Sequence, residues 1–186
     1  WWLTWFCALP IGVRPTENPE PGHEPGAPEK TYLWWKVGGT TLVAAVLTGA
    51  VYWLVKSEPS AWSWQQQVDC GAKGTHWSGV RNHTAKLNMM AMKKGDHAFF
   101  YHSNEGKEIV GIVEVIREHY PDPEDAKGQF CLVDFKAVKP LKKPVTLAEV
   151  KATPALAKMS LLTSFRLSVQ PVRDDEWKLV CKMGGV

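Results

Sequence analysis

Residues 93–116, KKGDHAFFYHSNEGKEIVGIVEVI, decide the fold class. Lys94-Gly95-Asp96 has the composition of a turn, and His97–Tyr101 (HAFFY) follows it directly. Ile109–Ile116 (IVGIVEVI) is a long β-branched run. Aromatic and β-branched residues suit a pleated, half-buried surface, and short runs of them bounded by turn residues read as strands.

Further runs of the same kind lie on both sides. Tyr52–Val55 precedes the turn-forming Ser57-Glu58-Pro59, Gln129–Ala137 (QFCLVDFKA) alternates in part, and Arg166–Val169 ends at Gln170-Pro171. Helical segments are expected between and after them. Asn82–Met92 ends in the stop signal Lys93-Lys94-Gly95. Thr146–Lys151 opens with Thr-x-x-Glu, a capping-box pattern, and Pro154 limits its length. Arg173–Cys181 carries Asp174, Asp175 and Glu176 where a helix N-terminus favours acids. The pattern predicts an α+β fold, a small barrel or strongly curved sheet with peripheral helices.

The first fifty residues have another character. Residues 1–13, WWLTWFCALPIGV, are uncharged and aromatic-rich, like the end of a membrane helix. A loop over 14–31 follows, and its stretch 14–30 holds five prolines and two glycines, too few apolar groups for a core. Residues 37–55 are 19 uncharged residues between Lys36 and Lys56, just enough to span a bilayer core of roughly 30 Å. A transmembrane-like helix is therefore expected over 32–51, with a buried core helix as the alternative. The positive-inside bias would place residues 52–186 in the cytoplasm, tethered to the membrane if the N-terminal segment is expressed with them. The strand expected at Tyr52–Val55 competes with the end of that helix. A strand lost to lipid would leave its neighbours unpaired, so the working unit is expected to start near Val51 or Tyr52.

Charge separates the two parts as well. Residues 1–50 hold Arg14, Lys30 and Lys36 against four glutamates, and the rest holds 19 Lys and Arg against 15 Asp and Glu. That mildly basic balance fits a phosphate-facing surface and fits an ordinary soluble domain equally well. Cys7, Cys70, Cys131 and Cys181 are scattered, with no CxxC pair and no zinc spacing, so no metal and no cofactor are expected.

Five separated motifs carry a family resemblance. They are YWLVKSEP at 52–59, WSGVRN at 77–82, KKGDHAFFYHSN at 93–104, GIVEVIREHYPDP at 111–123 and RLSVQPV at 166–172. In order and spacing they resemble the EVE domain family of the PUA-like superfamily, across essentially all of 52–186. The stretch before residue 54 resembles the second half of a small two-helix bacterial membrane protein, which implies no activity. The EVE resemblance implies a PUA-like β-barrel whose pocket accepts a flipped, modified base of DNA or RNA.

An extruded base needs a π-face to stack on and fixed hydrogen-bonding groups for its edge. Trp77 and Tyr101 offer faces, while Ser57, Asn82, His102 and Ser103 offer polar groups for a base pocket. Lys56 and Arg81 are candidates for the flanking phosphates. Blander roles remain open. Trp77 and Tyr101 suit a core, Asn82 suits the N-cap of the following helix, and Ser57 suits the turn after it. The expected function is capture of a modified base, methylated for example, by a binding module. The alternatives are a generic RNA-binding regulator of the same fold and a nucleic-acid-processing enzyme. The sequence pairs no nucleophile with a base and lacks the zinc-deaminase signature, so catalytic residues are not expected.

Overall fold

The computed structural model describes residues 51–186. The segments expected at 1–13, 14–31 and 32–51 lie outside the described residues apart from Val51. Among the described residues, no helix is long and apolar enough to cross a membrane.

Six strands and five α-helices are described, besides two short 3-10 turns: β1 (Tyr52–Ser57), α1 (Trp64–Asp69), β2 (Thr75–Trp77), α2 (His83–Ala91), β3 (His97–His102), β4 (Glu108–Pro121), β5 (Cys131–Thr146), α3 (Leu147–Ala152), α4 (Ser160–Thr163), β6 (Val169–Val172) and α5 (Asp174–Gly184). The expected helix signals act as read. Asn82 caps α2, Thr146 and Glu149 close a reciprocal capping box on α3, and three acids occupy the first turn of α5. The last strand differs from expectation. It begins at Val169 and runs through Pro171. Proline is tolerated there because β6 is an edge strand, where a missing N–H breaks no ladder on the open side.

The strands form one sheet in the order β2-β5-β4-β3-β1-β6. β1 runs parallel to β3, and the other pairs are antiparallel. The long β4–β5 ribbon changes register four times, and each bulge adds bend and twist. The sheet curls into a half-barrel with β2 and β6 at its edges, so the barrel expected from the sequence is open along one side.

Each face of the sheet buries its own core. Trp53, Val55 and Phe100 face one way, against Met89 of α2 and Phe135. Leu54, Phe99 and Tyr101 face the other, against Val150, Met159 and Trp177 from the helices that follow β5. This is the period of two along β1 and β3 expressed in packing. Phe99 and Phe100 are each fully buried, an arrangement worth about 1.5–3 kcal/mol per side chain. Trp177 is sandwiched between Tyr52 at 4.2 Å and Phe99 at 4.0 Å, which locks α5 onto the start of β1.

Candidate functional site

The parallel pairing of β1 with β3 sets Lys56 beside Tyr101 and Ser57 beside His102. Alternation then divides the residues singled out from the sequence. Ser57 and His102 lie on the Phe100 face, and Lys56 and Tyr101 lie on the opposite face.

On the Phe100 face the chain after β1 folds back over the strand ends. The Ser57 hydroxyl donates to the carbonyl of Trp62 at 2.6 Å. Its own carbonyl accepts from the Ser103 N–H at 2.7 Å and the Ser103 hydroxyl at 3.1 Å. The backbone N–H of Trp64, first residue of α1, donates to Nε2 of His102 at 3.2 Å. A main-chain N–H can only donate, so Nε2 is unprotonated and the ring proton sits on Nδ1. Burial holds the His102 pKa below its ordinary value, partly opposed by the Glu108 carboxylate. The neutral ring is therefore favoured on both counts.

Two half-buried indoles sit in this fold-back. Trp62 donates Nε1–H to Gln67 at 3.0 Å, and the buried Gln67 donates in turn to the carbonyl of Phe135 at 2.9 Å. Trp64 meets Phe100 edge-on at 5.4 Å. Its ring occupies the space above Gly111, where a Cβ would come within 2.3 Å of the indole. Phe100 is the common neighbour, because His102 at 5.7 Å and Trp77 at 5.6 Å also meet its ring edge-on.

The second predicted cluster lies on the same face. Trp77 is only 7% exposed and packs edge-on against Phe135 as well as Phe100. It is a core residue, and the stacking platform expected of it does not fit this burial. Arg81 pairs with the buried Asp122 at 3.1 Å and lies over the Phe130 ring at 5.4 Å, with half its side chain in water. Asn82 spends its oxygen on the helix cap, accepting from the Ala85 N–H at 3.0 Å.

Tyr101 and Lys56 depart furthest from expectation. Tyr101 is 4% exposed, packed in the other core, and burial raises its pKa. It offers no open face to a base on the Ser57 side. Lys56 lies 5.9 Å from the centre of the Tyr101 ring and donates to the carbonyl of Phe165 at 2.9 Å. Burial lowers its pKa to about 8. It braces a loop, where the sequence suggested a free phosphate contact.

The structure thus brings together Ser57, His102 and Ser103, and it adds Trp62 and Trp64, which the sequence reading passed over. The signal for them was present as Trp-x-Trp directly after the Ser-Glu-Pro turn. Asp122 was also missed, because its pairing with Arg81 spans 41 residues and has no local signature. This end of the sheet offers aromatic surface and a neutral imidazole, while Arg81, with half its side chain exposed, stands by Asp122 just past the last residue of β4. Such a set can stack on and hydrogen-bond a flat polar ligand.

Comparison with known proteins places these residues in a wider context. The EVE domain family model matches residues 51–183, and a model described as a protein of unknown function (DUF1467) matches residues 1–63. Human thymocyte nuclear protein 1 is 32% identical over 165 residues, covering 71% of this chain and 73% of that protein. The NMR structure of a Rhodopseudomonas palustris protein is 71% identical with a TM-score of 0.70, covering 73% of this chain and 93% of that one. The crystal structure of human THYN1 in complex with DNA containing 5-methylcytosine is 31% identical with a TM-score of 0.67, covering 73% of this chain and 98% of that one.

Proposed function

The chain belongs to the EVE domain family, and from that membership we propose that residues 52–186 form a PUA-like module that binds nucleic acid carrying a modified base. The base would sit where Ser57, Trp62, Trp64, His102 and Ser103 gather, with Arg81 toward a phosphate. The observation that carries the reading is the human relative solved with DNA containing 5-methylcytosine, a fold match that covers nearly all of that chain.

The local geometry supports it. Half-buried indoles retain π-surface for stacking, a contact worth about 1–3 kcal/mol per base. The neutral His102 keeps an Nδ1–H donor, and the Arg81 side chain is half exposed. A methyl group buried from water adds about 0.8 kcal/mol, roughly a fourfold preference. Larger selectivity, up to about 1–3 kcal/mol, needs a pocket shaped closely around the methyl group. An enzymatic role is disfavoured by one bond. The His102 lone pair that would take a proton is already engaged by the Trp64 N–H.

Titrating the full chain with fluorescent duplexes that differ by one 5-methylcytosine tests the reading. Tighter binding of the methylated duplex at every salt concentration is the expected result. Equal affinities that fall together with salt would leave a generic binder.

A further inference from the structure

Phe165 is 71% exposed, the most exposed large apolar side chain of the described residues. Single exposed apolar residues are common, so exposure alone says little. The loop that carries it is different, because it is clamped from two directions. Gln170 is fully buried, and its amide donates to the carbonyls of Ser164 at 2.8 Å and Leu167 at 2.9 Å. From the side, Lys56 donates through Nζ to the Phe165 carbonyl and through its backbone N–H to the Ser168 carbonyl, both at 2.9 Å. A tight bond from the Leu167 N–H to the Ser164 carbonyl closes the turn at 3.0 Å. The oxygen of the Gln170 amide has no partner, a cost the fold accepts while its nitrogen grips the loop.

These bonds hold the loop backbone from which an aromatic ring projects into water. The loop feeds β6, and β6 pairs with β1 so that Val169 lies beside Val55. Phe165 therefore stands at the sheet edge by the end of β1, its carbonyl bound by Lys56. The Arg166 guanidinium sits 5.6 Å from the ring centre, which adds a cation beside it.

The geometry points to Phe165 as an apolar wedge that enters a duplex base stack beside the extruded nucleotide, with Arg166 on the adjacent phosphate. This rests on the nucleic-acid reading above. Drawing a base out of a duplex leaves a gap whose neighbours lose their stacking partner. Apolar side chains that protrude into such steps hold the distorted duplex. A braced loop serves this better than a mobile one, because less backbone has to be ordered on binding.

Fluorescence anisotropy on the full 186-residue chain tests it, using a duplex with one central 5-methylcytosine and the same strand unpaired. Phe165→Ala is expected to weaken duplex binding about tenfold, within the range of one stacking contact, and to change single-strand binding less than twofold. Phe165→Leu, still apolar, is expected to recover most of the duplex affinity. Equal losses on both probes, or no loss on the duplex, overturn the wedge. If the unmodified protein binds neither probe, the nucleic-acid reading itself fails, an outcome separate from failure of the wedge. Phe165 bears no core contact here, and unchanged melting of the variant confirms that folding is not at issue.

Discussion

Trp64 donates its backbone N–H to Nε2 of His102 across 3.2 Å, joining the first turn of α1 to the end of β3. The bond exists only while the imidazole is neutral, so the pairing of these elements is tied to pH. Burial sets the His102 pKa below the ordinary 6.5. The unfolded chain then takes up its proton first as pH falls. Stability contributed by His102 is complete above about 6.5 and is lost as pH drops from there through the lowered folded value. The expected NMR result is an imidazole titration below 6.5 with the Trp64 amide shift moving on the same curve. An imidazole midpoint above 6.5 would contradict the account.

Lys56 titrates in the opposite range. Its pKa is lowered to about 8 by burial, from 10.5. The unfolded chain binds the extra proton between these values, so stability rises with pH from about 8 towards 10.5. In the reductively methylated protein, one lysine resonance is expected to titrate near pH 8 and to vanish in Lys56→Met. A set of lysines all titrating near the ordinary value would remove the role given to this burial.

Gly111→Ala places a methyl group within 2.3 Å of the Trp64 indole. The ring must move, and overpacking of this kind costs about 1–3 kcal/mol. Binding should fall with it, because α1 and the His102 bond shift together. A crystal structure of the variant with Trp64 unmoved would show that the contact is softer than described.

Trp77 and Trp62 separate core from site. Trp77→Ala empties a position flanked by Phe100 and Phe135 and should cost about 3–5 kcal/mol. Trp62→Ala removes a half-buried ring and leaves the Gln67 oxygen without its partner, costing about 1–2 kcal/mol. At temperatures where both remain folded, only the Trp62 change is expected to weaken oligonucleotide binding strongly. Denaturant melts beside anisotropy titrations measure the two effects separately.

The sequence made the local features legible and left the pairwise ones obscure. β1, β3 and the core of β4 follow from aromatic and β-branched runs between turn residues, and the caps at Asn82 and Thr146 follow from spacing alone. β2 escaped because three residues carry no period. α1 escaped because its six residues are mostly polar or aromatic. The division of the site into two faces was in principle readable, since Lys56 precedes Ser57 and Tyr101 precedes His102 along extended chain. The partners of Arg81 and Lys56, Asp122 and the Phe165 carbonyl, lie far away in sequence and required the fold.

β1 pairs with β3 on one side and with β6 on the other. The first described strand is thus zipped to the last, Tyr52 opposite Val172. During synthesis the sheet stays incomplete until residue 172 has left the ribosome, and until then β1 presents a bare edge to whatever lies nearby. Loop closure over such a span favours slow folding. The strand that ends at the proposed site thus gains its second partner only when β6, 112 residues or more further along the chain, is in place.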